Sequence, residues 1–178
     1  MIRLVPFMLG AHEALVGPVV ACLERTFGER VEVRDPGFDP AAALDERRGQ
    51  YDSRRFLRLL LDDAHDAPRV LGMTGVDLFI PVLTFVFGEA QLGGRAAVVS
   101  TFRLRSEPYG IVSPPERLLE RAMKEALHEL GHTHGLVHCD LADCVMRSST
   151  YVEDIDAKPA RFCVDCARGV APPGAASA

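Results

Sequence analysis

Residues 128–146 read HELGHTHGLVHCDLADCVM, and the spacing of their histidines and cysteines governs how the rest of the chain is read. On a helix, His128 and His132 stand one turn apart on the same face, so both rings can reach one ion. Zinc takes imidazole nitrogens at about 2.0–2.1 Å in a tetrahedral shell, and two helical histidines supply half of it. Gly135 can take the left-handed conformation that ends a helix, and the turn lets His138 swing back as a third ligand. The fourth position then stays open for water, which separates a catalytic zinc site from a structural one. Glu129 follows the first ligand directly and is expected to act as general base and not as ligand. A bare His-Glu-x-x-His occurs by chance on surface helices. The glycine and third histidine at the required distance make this segment specific. His134 fits no ligand position and is expected to support the site or lie at the surface.

A second cluster overlaps the first. Cys139 and Cys144 are followed by Cys163 and Cys166, two close pairs that match a tetrahedral four-thiolate zinc site. With four sulfur ligands no position stays open, so this ion would be structural. Because His138 and Cys139 are neighbours, it would anchor the segment bearing the third histidine. Free buried thiols and disulfides are the alternatives. The adjacent Asp140, Asp143 and Asp165 speak against burial, and a cytoplasmic setting speaks against disulfides. Cys22, on the apolar face of an earlier helix, is expected to pack in the core.

Outward from the motif, the spacing predicts a helix capped by Ser113, with Pro114 in its first position and Glu116 three residues after the cap, running to about His134. Leu119, Ala122, Met123, Ala126 and Leu130 share one face. His128 and His132 share the opposite one with Arg117, Arg121 and Lys124, pointing toward solvent or a cleft. Upstream, strands are expected at 2–8, 31–33, 70–80, 85–89 and 96–104, with helices at 11–27 and 52–65. Gly93-Gly94 suits a hairpin turn between the last two strands. Residues 35–50, with Asp-Pro and Pro-Gly breakers, read as a loop. The alternation of strands and helices implies a mixed α/β layer.

The chain has 178 residues, 48% of them hydrophobic and 25% charged, with a net charge of −5. That suits one soluble globular domain over residues 1–168, followed by a small, Pro-rich tail at 169–178 expected to be disordered. The acidic balance, without a basic stripe, gives no reason to expect a nucleic-acid partner. The longest apolar run, 78–88, is too short for a bilayer and contains Pro81, so no membrane partner is expected. The N-terminus lacks the pattern of a secretory signal, and the expected location is cytoplasmic.

With these residues in hand, HELGHTHGLVHCDLADCVM followed by FCVDC (162–166) resembles the archaemetzincin family of metzincin-type zinc metallopeptidases. VDLFIPVLTFVFGEA (76–90), AAVVSTFRL (96–104) and SSTYVEDIDAKPARFCVDC (148–166) are similar to further family segments. The likeness covers about residues 50–167. Thr84 departs from it, standing where the family pattern has asparagine. The resemblance implies a twisted, mostly parallel sheet above the active-site helix, with one antiparallel edge strand near 85–90. It implies His128, His132 and His138 around a catalytic zinc with Glu129 as base, and Cys139, Cys144, Cys163 and Cys166 around a second, structural zinc. Met146 corresponds to the methionine of the Met-turn, a packed floor beneath the catalytic metal. The substrate would be a peptide or protein, with aminopeptidase-like action in some members. A zinc-binding module without efficient turnover, and an amidase acting on non-peptide substrates, are the competing functions. Tyr151 and Glu89 are secondary candidates, for oxyanion contact and for a substrate amino group.

Overall fold

The computed structural model describes residues 1–106 and 114–170. Four short apolar segments form the parallel part of the main sheet: β1 (Ile2–Phe7), β2 (Val31–Val33), β5 (Arg69–Thr74) and β8 (Ala96–Ser100). The order β2-β1-β5-β8-β7 is parallel except at its last pair, where β7 (Gly88–Ala90) runs antiparallel to β8. A smaller sheet joins β3 (Leu44–Asp45), β4 (Gln50–Asp52) and β6 (Leu78–Phe79).

Strand alternation splits the core into two layers. Ile2, Leu4, Leu71, Met73, Ala97 and Val99 face helices α1 (Val16–Phe27) and α3 (Pro115–Thr133). Val5, Phe7, Val70, Ala96 and Val98 face α2 (Ser53–Asp63). Helix α1 follows a 3-10 turn at Gly10–Leu15, so Pro18 falls in its first turn, where no N–H is required. Cys22 is buried in the first layer, as its face predicted. Asp52 caps α2 by accepting from the Arg54 N–H at 3.0 Å.

Several expected boundaries shift. The 35–50 segment is not all loop. Asp39 caps a 3-10 turn at Pro40–Ala43, and Asp45 turns the chain from β3 into β4 by accepting the N–H groups of Arg47 and Arg48. Such side-chain turn closures are local, but the pairing of β4 with β6 is not, and residue periodicity could not show it. The single strand expected over 70–80 breaks at Gly75, whose missing Cβ would lie 2.7 Å from the Met8 carbonyl. The edge strand begins at Gly88 and not near Phe85, and before it Val86 makes an isolated bridge to Leu78.

Helix α3 starts one residue later than expected, with Pro114 extended at the cap and Pro115 in the first turn, because a residue before proline avoids the helical region. The cap expected at Ser113 lies outside the described residues. The chain closes with α4 (Val152–Ala157) and α5 (Val164–Val170). Helix α5 continues two residues past the expected start of the tail. Val170 is buried, and a Cβ on Gly169 would lie 2.6 Å from the Leu136 side chain, so both belong to the packed unit. Among the described residues, no helix is long and apolar enough to cross a membrane.

Candidate metal centre

Helix α3 lies against the sheet through its apolar stripe, but its other face is covered too. Arg121, Lys124 and His128 are all buried. The segment around α4 makes that cover. Asp156 accepts from Arg121 Nε at 2.7 Å, and the Ile155 carbonyl accepts from Lys124 Nζ at 3.0 Å. A polar stripe, which alone suggests a wet surface, is here desolvated by partners about thirty residues away. The imidazoles therefore open into a cleft between the helix, the edge strand and residues 148–151, not into bulk solvent.

The turn after α3 follows from Gly135, whose φ is +89°, a region costly for side chains with a Cβ. Its N–H bonds to the His132 carbonyl and that of Leu136 to the Gly131 carbonyl, the two bonds of a Schellman close. The same turn fixes a ring, because His132 Nδ1 donates to the Leu136 carbonyl at 2.7 Å. His128 Nδ1 donates to the Val145 carbonyl at 2.9 Å. Both bonds select the tautomer with a bare Nε2, and the two Nε2 atoms lie 3.1 Å apart. Neighbouring ligands at zinc–nitrogen distance in a tetrahedral shell stand about 3.3 Å apart. His138 completes the set, with all three ligand atoms within 4.8 Å of one another. Burial, then the nearby Lys158 ammonium, holds the His128 pKa well below its ordinary value, so the ring is a neutral donor. The donor set fits a zinc ion.

The second cluster fits one as well. The sulfurs of Cys139, Cys144, Cys163 and Cys166 lie within 4.8 Å of one another, with Cys139 and Cys163 4.0 Å apart. Tetrahedral zinc thiolates stand about 3.8 Å apart. All five cysteines are free. The Cys166 backbone N–H, directed at the Cys163 sulfur, brings that thiol down to about 7, which favours the ligating thiolate. The two clusters are joined by more than the 138–139 peptide bond, since the Cys139 N–H donates to the Met146 carbonyl at 3.0 Å.

Glu129 also faces the cleft. Burial, then the neighbouring Glu125, pushes its carboxyl well above the ordinary range, and Lys158 opposes the shift. A Cβ on Gly88 would sit 2.7 Å from Glu129 Cγ, so the edge strand can pass this close only as glycine. Met146, fully buried, packs its sulfur where a Gly131 side chain would be, 2.5 Å from the ideal Cβ position. His134 is remote from the cleft. It stacks on Phe27 with ring centroids 5.2 Å apart, and burial lowers its pKa to about 4. Tyr151 lines the cleft rim but is 67% exposed. Glu89, the candidate for a substrate amino group, also lines the cleft. It is partly buried, and Ser53 Oγ donates to it. Gly88, Gly131, Glu125 and Lys158 were missed by sequence reasoning. A mid-helix glycine inside HELGH was a visible signal for close packing, but its partner was not.

A histidine-bearing helix under a mostly parallel sheet with an antiparallel edge defines a metzincin-type zinc metallopeptidase, a hydrolase of peptide or protein substrates. The model of peptidase family M54 matches residues 41–171, and the chain belongs to this family. It is 40% identical over 153 residues to the archaemetzincin of Methanocaldococcus jannaschii, covering 83% of each chain. The crystal structure of archaemetzincin from Methanopyrus kandleri superposes with a TM-score of 0.83 at 37% identity, over 95% of this chain and 92% of that one. The archaemetzincin of Archaeoglobus fulgidus, crystallised as a malonate complex, gives 0.77 at 36% identity, over 94% and 98%.

Proposed function

We propose that His128, His132 and His138 hold one catalytic zinc, that Cys139, Cys144, Cys163 and Cys166 hold a second, structural zinc, and that Glu129 is the general base of peptide hydrolysis. The observation that carries this reading is the convergence of two bare Nε2 atoms 3.1 Å apart beside a buried carboxylate. When bound, the catalytic zinc supplies Lewis acidity that polarises the scissile carbonyl and acidifies the attacking water. Glu129 takes the proton of that water as it attacks and passes it to the leaving amine. A carboxylate shielded from water is a stronger proton acceptor, and a cation beside it favours its ionised form. Met146 against Gly131 fixes the turn of helix that carries both histidines. Zinc analysis of the purified protein with a peptide-library digest tests the assignment. Two zinc ions per chain and cleavage abolished by chelation are expected, and a metal-free active protein would refute it.

The edge strand orients the substrate. On either side of β7 the Ser100 N–H donates to the Phe87 carbonyl and the Gln91 N–H to the Ala96 carbonyl, and the register makes Glu89–Val98 the hydrogen-bonded pair between them. The backbone groups of Gly88 and Ala90 therefore point away from β8, placed to pair with an extended peptide. Ala90→Pro removes one outward N–H and leaves the sheet bonds in place. It should raise KM several-fold with kcat little changed, and identical kinetics would exclude strand addition. Gly88→Ala should instead lower kcat, by up to about a hundredfold, because its methyl group, hemmed in by the Val98 carbonyl, displaces Glu129, and misplacement of about 1 Å is that costly. Normal turnover in this variant would mean that Glu129 does not need its observed position. An aminopeptidase-like preference rests on family resemblance. It predicts slower cleavage of N-acetylated than of free peptides.

A further inference from the structure

Glu125 takes no part in the reaction outlined above, yet it sits in the wall of the same cleft, one turn of α3 before Glu129 and 3% exposed. Lys158 pairs with it, with Nζ 3.0 Å from Oε1. That ammonium is itself buried, is not part of the cleft wall, and also contacts the Arg147 carbonyl at 3.1 Å. The Oε1 atom nevertheless receives no hydrogen bond of ordinary geometry. A carboxylate has about four acceptor sites, so one ammonium against Oε1 does not exhaust the acceptor capacity of Glu125. Ser149 Oγ, in the same wall, is likewise buried without a partner. The other charged wall residues, histidines aside, are Glu89 and Glu129. Among the described residues, no lysine or arginine lines this cleft of about 570 Å³.

We infer that the cleft selects substrates by a cationic side chain, lysine or arginine, next to the scissile bond, and that Glu125 receives its head group. This rests on the cleft being the peptidase site. An apolar side chain placed there would offer no donor to Glu125 or Ser149, and buried polar atoms left short of partners are costly. A cationic head group supplies donors to both, and charge-assisted bonds are the stronger kind. Lys158 does not fill this role, because it is not among the residues that line the cleft and its ammonium is shared between Glu125 and the Arg147 carbonyl, with His128 Nδ1 beside it.

Binding to the zinc-loaded Glu129→Gln protein tests this without turnover. Two N-acetylated alanine pentapeptides are compared by calorimetry, with lysine or its uncharged isostere norleucine at the centre. The lysine peptide should bind about tenfold more tightly, and Glu125→Gln should abolish the difference while leaving norleucine binding unchanged. Because Glu125→Gln strands the buried Lys158, the double variant Glu125→Gln/Lys158→Met is measured alongside and should behave alike. Equal affinities in the parent, or a lysine preference that survives both replacements, overturns the inference. A peptide library digested by the unmodified protein separates this from the parent reading. Absence of all cleavage refutes the assigned reaction while the binding comparison still decides the selectivity.

Discussion

Glu129→Gln should lower kcat for peptide hydrolysis by about 10²–10⁴-fold, the span that general acid–base groups contribute. The amide keeps the shape and most of the packing of a side chain that is 6% exposed, but it cannot accept a proton from water. The three histidines are untouched, so zinc content measured by mass spectrometry should equal that of the unmodified protein. KM should change little, because the lost interaction belongs to the transition state. The pairing of these results is the test. Turnover lost together with zinc would make Glu129 a structural support, and turnover retained with zinc would move the base elsewhere.

Cys144→Ser should have the largest effect on stability. Cys144 is fully buried, and its sulfur belongs to the four-thiolate cluster. Structural zinc contributes about 10–16 kcal/mol in small fingers that are unfolded without it. Here the sheet and its two apolar layers persist, so a smaller loss of about 4 kcal/mol is expected. For a chain of this size that corresponds to a fall in Tm of about 8–16 °C. The variant should bind one zinc in place of two. Its kcat/KM should fall as well, because Cys139 continues the strand of chain that presents His138 and is tied to Met146. An unchanged Tm with two zinc ions bound would remove Cys144 from the ligand set.

The parts of this molecule legible in its sequence are those written in short spacing. His128 and His132 at four residues, the Gly135 turn, and the paired cysteines each fix geometry within a turn or loop, and the structure brings each set together. The apolar character of β1, β5 and β8 likewise marks them as strands, but they are buried on both faces, so which residue meets which layer is not written in a local pattern. What was hidden depends on contacts across the chain. The Gly88 approach to Glu129 spans forty-one residues, and the Gly131–Met146 packing joins a helix to a loop. Lys124 and Lys158 look like surface lysines from their type, yet both are 2% exposed because α4 folds over the helix. Burial of a charge is decided by what packs on top of it, and no local pattern records that.

The shortness of β7 has a consequence for which proteins can be cut. If substrates add to the edge strand as proposed, a chain must lend its own main-chain hydrogen bonds to Gly88 and Ala90, and a residue already committed to a native helix or ladder has none to lend. On the strand-addition reading, segments that have lost or never acquired tertiary order should be cut in preference to intact globular proteins, before any side-chain selectivity acts.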